Sequence, residues 1–355
     1  MSRRSRAVPT EIPADPFGER RPAAFRVRMQ LLGGRFHFET DSTRLLHIVR
    51  HAYAKLPPHK LSATAPHFRV KLLLASKRRP HQAARMAREP PRVRPFAGGG
   101  ILCGAMESAN FMALTPQQRS ALVVISQDML EFPYHIRYEL LEFAVYALAA
   151  RVQKLVPLHA ACVGCNGQGI LLLGASGAGK STLALHCLLQ GFEFLAEDSV
   201  LVKPDGLLAT GVANFLHVRV DSLRFLRDTS SAPATRRSEV IRRRSGVEKF
   251  EIDLRRPPYR LAPAPQRIGA LIFISPKSAG NRPLLTPLRG AAIAKLLASD
   301  QRYAASQPGW SSFARQASAL PAFELRRGPH PVQAVEALRA LLPRDLITVR
   351  RRERR

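Results

Sequence analysis

The chain has 355 residues, enough for two domains of ordinary size, and its 46% hydrophobic content can fill real cores. Its 55 Lys and Arg residues outnumber its 26 Asp and Glu residues, which gives a formal net charge of +29. No apolar segment resembles a signal peptide or reaches the roughly 18 residues of a membrane span, so composition excludes a helical membrane protein. We therefore expect a cytoplasmic location and no membrane partner.

Residues 1–23 are rich in Pro, Arg and Ala and predict a disordered basic leader. Residues 24–155 predict an α+β domain, which begins with an alternating hairpin around Gly33-Gly34 and closes with an apolar helix from Tyr134 to Leu155. The predicted elements between them are a helix after Ser42 that stops at Pro57-Pro58, strands near Phe68–Leu74, Ile101–Cys103, Phe111–Leu114 and Ala121–Ile125, and a basic linker at 77–96.

Residues 156–345 alternate short strands with few helices, which predicts an α/β domain with a mixed sheet rather than a doubly wound one. Its opening is an antiparallel hairpin with strands at Leu158–Val163 and Ile170–Leu173 and a turn at Asn166-Gly167. The later predicted elements are helices at Ser181–Gln190, Leu288–Leu297 and Pro331–Leu342, strands near Phe192–Leu195, Val200–Val202, Leu216–Val220, Val247–Leu254 and Ile268–Ser275, a mobile basic loop at 229–245 and a basic tail at 346–355.

A glycine loop lies between the second hairpin strand and the first of these helices. It contains Gly174-x4-Gly179-Lys180-Ser181, and a strand, a glycine loop, Lys-Ser and a helix in this order are what a phosphate-binding loop needs. Glycines let backbone N–H groups turn towards an anion, and the helix directs its positive end to the same place. We therefore expect ATP to be bound by Gly174, Ala175, Ser176, Gly177, Ala178, Gly179, Lys180, Ser181 and Thr182.

Two acids and one histidine complete the candidate site. Glu197 and Asp198 end an apolar strand 17 and 18 residues after Lys180, where carboxylates can hold Mg²⁺ opposite Ser181 or accept a proton from an attacking hydroxyl. His159 precedes Lys180 by 21 residues, on the strand predicted to pair with the loop strand. Hairpin geometry brings this histidine near the loop and the acids.

These motifs resemble a known family. His159-Ala-Ala-Cys-Val, the loop with its flanks, Gln190-Gly191-Phe192 and Leu195-Ala-Glu-Asp198 are similar to the C-terminal domain of HPr kinase/phosphorylase. The resemblance is closest to its HPr-kinase-related offshoots found beside peptide-maturation genes. It implies a P-loop kinase fold related to phosphoenolpyruvate carboxykinases, and transfer of the ATP γ-phosphate to a serine of a peptide or protein. It also implies rings or smaller homo-oligomers.

The resemblance also implies roles for the motif residues. Lys180 grips the β- and γ-phosphates, Ser181 and the acid at Glu197 hold Mg²⁺, and Asp198 is the base, assisted by His159. The family usually has two aspartates at the acidic pair, so Glu197 is a departure, and which acid is the base stays open. The family's second signature is not recognisable after residue 202, although Asn214, His217 and Arg219 lie in its region. Arg244, Lys249 and Glu248 are later candidates for charge near the phosphates. The motifs therefore support neither the reverse, phosphorolytic reaction nor HPr itself as substrate.

Other interpretations stay open. The charge of +29 allows a nucleotide-dependent ATPase or binding module that engages nucleic acid, although no basic motif interleaved with aromatic residues accompanies it. A small-molecule hydroxyl kinase is equally compatible with the motifs. Cys162 and Cys165 have metal-like spacing without a second pair, which favours buried reduced thiols. We expect the N-terminal domain to supply recognition or packing rather than chemistry.

Overall fold

The computed structural model describes residues 23–75, 89–106, 109–226 and 238–342. Almost all of the predicted leader, the whole predicted tail and most of the predicted linker and basic loop lie outside these residues. No helix in the described ranges is both long and apolar enough to cross a bilayer.

The first half of the chain forms a seven-stranded sheet with the strand order β1-β2-β3-β7-β6-β5-β4. Strands β2, β3 and β7 run parallel to each other, and the remaining pairs are antiparallel. The strands are β1 Phe25–Leu31, β2 Gly34–Thr40, β3 His67–Ala75, β4 Arg94–Gly98, β5 Ile101–Met106, β6 Asn110–Thr115 and β7 Ser120–Ser126.

Helices cover one face of this sheet. Helix α1 spans Thr43–Tyr53, and Ser42 caps it by accepting a hydrogen bond from the Leu45 amide. A longer helical segment comprises α2 at Pro133–His135, a π-helix at Ile136–Glu142 and α3 at Phe143–Gln153, and it ends where Lys154 adopts a left-handed conformation. Inward-facing Phe, Val and Leu side chains of the strands pack against these helices.

The second half forms a nine-stranded mixed sheet. Its main order is β11-β9-β10-β17-β13-β12-β8, with β19 pairing β17 and β18. The strands are β8 Val156–Leu158, β9 Ala161–Cys165, β10 Gln168–Leu173, β11 Glu193–Ala196, β12 Val200–Lys203, β13 Leu208–Thr210, β17 Gln266–Ser278, β18 Leu285–Leu288 and β19 Ala322–Arg327. Strand β10 is parallel to β17 and antiparallel to β9, so the glycine loop leaves a central strand of this mixed sheet.

A small antiparallel sheet and several helices surround that core. The sheet has the order β14-β16-β15, from β14 Phe215–Arg219, β15 Glu239–Arg242 and β16 Glu248–Asp253. The helices are α4 Lys180–Leu189, α5 Ala291–Asp300, α6 Arg302–Ala305, α7 Trp310–Ala317 and α8 Pro331–Arg339. Helix α4 packs between the small sheet, β9 and α8, which fixes its N-terminus at the end of the loop.

Several predicted elements differ from the observed ones. The single strand expected over Leu158–Val163 is two strands: β8 pairs with β12, whereas β9 pairs with β10 and β11. His159 therefore lies in the break between strands rather than on a strand. Strand β4 starts inside the predicted linker, β15 lies inside the predicted loop at 229–245, and the helix predicted from Leu288 begins at Ala291 after β18.

The two halves meet through polar contacts. Asn214 donates to the Ala52 carbonyl oxygen at 3.0 Å, and Arg255 donates to the His51 carbonyl oxygen at 2.7 Å. These side chains of the second half satisfy carbonyl groups at the C-terminus of α1, which a helix end otherwise leaves unpaired. His59 contacts the Thr210 hydroxyl at 2.8 Å. The predicted domain boundaries stay a prediction, but the halves share a polar interface.

Candidate phosphoryl-transfer site

The glycine loop connects β10 to α4 through left-handed backbone at Gly174, Gly177 and Gly179, with φ of 136°, 80° and 114°. A Cβ atom on Gly174 would lie 2.9 Å from the Ile274 carbonyl oxygen, so this position requires glycine. A Cβ atom on Gly177 or Gly179 would meet no atom within 4 Å. The loop is thus tight against the sheet at one end and open to solvent at the other, which is a shape that admits an anion to the backbone amides.

Lys180 is the first residue of α4 and is only 6% exposed. Its ammonium group donates to the Gly174 carbonyl oxygen at 2.6 Å and lies 3.2 Å from Nε2 of His159. Burial lowers the pKa of Lys180, and the charges of Asp198 and Asp300 oppose that change. A buried ammonium group folded onto the carbonyl groups of its own loop is well placed to exchange them for phosphate oxygens.

Ser181 and Glu197 are in direct contact. The Ser181 hydroxyl donates to one carboxylate oxygen of Glu197, and the other oxygen accepts from the His217 backbone amide at 2.7 Å and lies 3.1 Å from Nδ1 of His217. The Glu197 side chain is 4% exposed. Two hard oxygen ligands are therefore held side by side at the end of the loop, a donor set that suits Mg²⁺.

Asp198 differs from its neighbour in exposure and partners. Its side chain is 40% exposed and pairs with Arg243 at 3.1 Å. Although burial raises the pKa of Asp198, the positive charges of Arg243 and Lys249 outweigh it and hold this pKa below its usual range. Its φ of 59° is left-handed, which aspartate tolerates at some cost and which occurs often at functional sites.

His159 reaches the loop from the break between β8 and β9. Its Nδ1 lies 3.2 Å from the backbone oxygen of Asp198, and its Nε2 faces Lys180. Gln301 fixes its backbone by accepting from the His159 amide at 2.7 Å and donating to its carbonyl oxygen at 3.0 Å. Gln301 also donates to Asp300, which accepts from the Gly174 amide at 3.1 Å. Histidine and glycine loop are therefore held by one chain of hydrogen bonds.

A buried ionic network lies behind the acids. Nε2 of His217 lies 3.0 Å from Glu251 and 2.7 Å from the Tyr138 hydroxyl, and Glu251 also forms a buried ion pair with Arg137. Burial lowers the pKa of His217, but its hydrogen bonds to Glu197 and Glu251 raise it overall. Burial raises the pKa of Glu251, but His217 and Arg137 lower it to about 2. Tyr138 and Arg137 come from the π-helix of the first half, so that half supports the site directly.

One cavity of about 880 Å³ brings these groups together. Its lining includes the predicted residues His159, Ser176–Thr182 and Asp198. Gly174 and Ala175 lie at the base of the loop, where their carbonyl oxygens accept from Lys180. Glu197 lies behind Ser181 rather than on the cavity wall. The sequence motifs therefore converge on one cavity, with Asp198 in its lining and Glu197 bonded to Ser181 outside that lining.

Sequence reasoning missed several lining residues. Arg243, Tyr138 and Arg327 line the cavity, and Arg327 donates to the Ala178 carbonyl oxygen at 3.4 Å. Arg244, which lies in the region proposed for charge near the phosphates, forms a two-point ion pair with Glu139 at 2.5 and 2.6 Å. These residues come from three separate segments: the π-helix, the turn between β15 and β16, and β19. Only the density of arginines at 242–244 signals any of them in the sequence.

The side chains of the described residues do not form a metal site on their own. Across 23–75, 89–106, 109–226 and 238–342, no group of three or more His, Cys, Asp or Glu side chains could hold a metal ion by itself. Cys162 is buried and Cys165 is partly exposed. Any Mg²⁺ at Ser181 and Glu197 would therefore complete its shell with phosphate oxygens and water, as Mg²⁺ usually does in nucleotide sites.

Comparison with known proteins gives one consistent set of relatives. No family model matches the chain. HPr kinase/phosphorylases of Xanthomonas campestris pv. campestris and Xanthomonas oryzae pv. oryzae are each 31% identical to it over 111 residues, which is 30% of this chain and 35% of theirs. The chain thus matches about a third of the length of these curated relatives. A solved HPr(Ser) kinase/phosphatase of Coxiella burnetii is 13% identical to this chain. The alignment covers 52% of this chain and 94% of the solved one, with a low TM-score of 0.25. Over the matched stretch the chain is HPr-kinase-like, as its motifs predict.

Proposed function

We propose that this HPr-kinase-like chain is an ATP-dependent phosphotransferase that transfers the γ-phosphate of ATP to a serine hydroxyl of a peptide or protein. One observation carries the proposal. A single cavity of about 880 Å³ is lined by the glycine loop, Lys180, Ser181, Asp198 and His159. Phosphoryl transfer needs a phosphate cradle, a cation, a metal ligand and a base within one site, and these residue types supply each of them.

The loop and its lysine would bind the triphosphate. Backbone amides over Gly174–Thr182 and the N-terminus of α4 provide the cradle. Lys180 would exchange its contacts with Gly174 and Ala175 for β- and γ-phosphate oxygens. Arg243 and Lys249 add positive charge to the lining of the same cavity. The cavity therefore favours a highly charged anion over a neutral ligand.

Ser181 and Glu197 would hold Mg²⁺. Bound there, the ion would neutralise charge on the β- and γ-phosphates. His217 fixes the Glu197 carboxylate through its backbone amide and its ring, so this ligand is already oriented before nucleotide binds. The Glu251–Arg137 pair in turn holds the His217 ring. A glutamate is therefore accommodated where relatives of this type carry an aspartate.

Asp198 is the better base of the two acids. Glu197 has its oxygens engaged by Ser181 and His217, whereas Asp198 is 40% exposed and lines the cavity. In the proposed step Asp198 takes the proton from the acceptor hydroxyl while the serine oxygen bonds to the γ-phosphorus. The bond from the γ-phosphorus to the β-phosphate oxygen breaks, and ADP leaves. His159 holds the Asp198 backbone and shares its side of the cavity with Lys180.

Labelled ATP tests the proposal. The wild-type protein with Mg²⁺ and γ-labelled ATP is incubated with a serine-containing peptide library and with proteins encoded beside its gene. We expect label on serine, loss of transfer in Asp198→Asn with ATP affinity kept within about threefold, and loss of ATP binding in Lys180→Ala. Asp205→Asn and Lys295→Ala are matched controls, because both residues are exposed and lie outside the cavity lining.

Two results would contradict the proposal. Unchanged ATP affinity in Lys180→Ala would refute the loop assignment. Transfer at the wild-type rate in Asp198→Asn would refute the base assignment. Phosphate release that nucleic acid stimulates, with no labelled peptide or protein, would instead support the ATPase interpretation.

A further inference from the structure

The seven-stranded sheet has a second face that no described helix covers. Along β2, β3, β6 and β7, inward side chains are buried and the alternate side chains are partly or fully exposed. We call these alternate positions the outer face. The strand register aligns them in rows, one of which runs across all seven strands through Arg26, Glu39, Lys71, Leu122, Ala113, Cys103 and Phe96.

The β1–β3 side of the outer face is cationic. It carries Arg26, Arg28, Arg35, His37, His67, Arg69 and Lys71 against the acid Glu39. Glu39 lies 3.8 Å from Arg26 and 3.9 Å from Arg69, and both arginine side chains are 70% exposed. Burial, and then the charge of Arg28, lowers the pKa of His37. Five Lys or Arg side chains against one Glu on β1, β2 and β3 therefore give this side a positive potential.

The β4–β7 side of the outer face is largely apolar. Its apolar side chains are Leu122, Val124, Phe111, Ala113, Cys103, Ala105 and Phe96, with Leu73 at their border on β3. Phe96 is 59% exposed, and the others are partly exposed. Polar residues lie at the margins of this set, where one row ends at the exposed Arg94 and another passes through Ser120 and Thr115. A contiguous apolar patch next to a cationic one is unusual for a surface that only faces water.

We infer that the outer face docks an acidic segment of a partner protein, with carboxylates over the β1–β3 side and apolar side chains over the β4–β7 side. Charge complementarity selects this occupant. A second copy of the chain carries a net charge of +29, and residues 76–88 contain five Lys or Arg and no acid, so both would be repelled. Mostly aliphatic side chains suit protein side chains better than stacked bases, which need aromatic platforms.

This docking surface lies on the first half, apart from the glycine loop of the second half. If the proposed kinase activity holds, the partner that docks is the protein carrying the acceptor serine. This identification of the partner rests on the proposed function, whereas the docking itself does not. A kinase with a cationic docking site away from its catalytic groups can select an acidic substrate without reading the residues around the serine.

Fluorescence anisotropy with defined probes tests the inference on the full chain. The probes are short labelled peptides of alternating Glu and Leu, Glu and Ser, or Lys and Leu, and a short single strand of thymidylate. The Glu-Leu peptide should bind tightest, with affinity that falls as salt rises. The double variant Arg28→Glu with Arg69→Glu should weaken it by about tenfold or more, and Leu122→Gln should weaken the Glu-Leu but not the Glu-Ser peptide.

The control for charge is Arg289→Glu with Arg302→Glu, an equal change at two exposed sites of the second half. This control should stay within about twofold of wild type. The inference is wrong if no acidic peptide binds, if the thymidylate strand binds tighter with the same variant dependence, or if sedimentation shows that the face joins two copies. Measuring Lys180→Ala separates the two proposals, because peptide binding should persist there even when nucleotide binding is lost.

Discussion

Replacing Arg137 with methionine should destabilise the protein by about 3 kcal/mol, at the lower end of what breaking a buried ion pair costs. The Arg137 and Glu251 side chains are 3% and 4% exposed, so the carboxylate left behind could not recover water. His217 would still contact Glu251 at 3.0 Å, which limits the loss. Methionine retains the apolar stem over the Phe215 ring, where the guanidinium carbon lies 4.2 Å from the centroid. The expected loss is therefore mainly electrostatic.

Urea unfolding, followed by the fluorescence of the single Trp310 and by circular dichroism, measures this cost. Arg44→Met is the matched control, because Arg44 pairs with Glu131 at 3.6 Å with side chains 57% and 73% exposed and should lose no more than about 0.5 kcal/mol. The double variant Arg137→Met with Glu251→Gln should be more stable than the sum of the single losses predicts, since it removes both charges. A loss in Arg137→Met as small as in the control, or strict additivity, would refute the network.

Two further predictions concern buried polar groups. Gln301→Leu removes both hydrogen bonds to the His159 backbone and should slow transfer by about tenfold while ATP affinity stays within about threefold. The control Gln307→Leu, at a partly exposed position, should change neither, and equal losses in rate and affinity in Gln301→Leu would contradict a positioning role. His186 is 2% exposed and burial lowers its pKa to about 4, below the 6.5 of an unfolded chain, so stability is lost as pH falls from 6.5 towards 4. Between pH 7 and pH 5, the free energy of unfolding of the wild type, measured with urea, should therefore fall by about 2 kcal/mol more than that of His186→Phe. Equal decreases in the two proteins would contradict the lowered pKa of His186.

The loop and its acids could be predicted because their signals are local. Gly174 to Ser181 and the pair Glu197-Asp198 lie within 25 residues of one another, and the residue types of each motif indicate its chemistry. The strand break at His159 was missed because apolar residues continue through it. What changes there is the pairing partner, from β12 to β10 and β11, and that depends on long-range contacts.

The supporting network could not be read from the sequence. Arg137, Glu251 and His217 are separated by 34 to 114 positions, and no local motif links them. The role of Arg243 could not be predicted, because it lies in a segment whose arginine content is typical of a solvated loop. The outer face could be predicted only in part. The alternation of inward and outward side chains is visible in the sequence of each strand, but only the register of the seven strands places the cations on one surface.

The central claim is that the cavity moves a terminal phosphate onto serine. The most direct measurement compares γ-labelled with α-labelled ATP in parallel incubations of the wild-type protein and Asp198→Asn, with phosphoserine identified by mass spectrometry. We expect serine-bound label from the γ-phosphate only with the wild-type protein, and no serine-bound label with Asp198→Asn. Label transferred from the α-position, or equal serine labelling by Asp198→Asn, would contradict it.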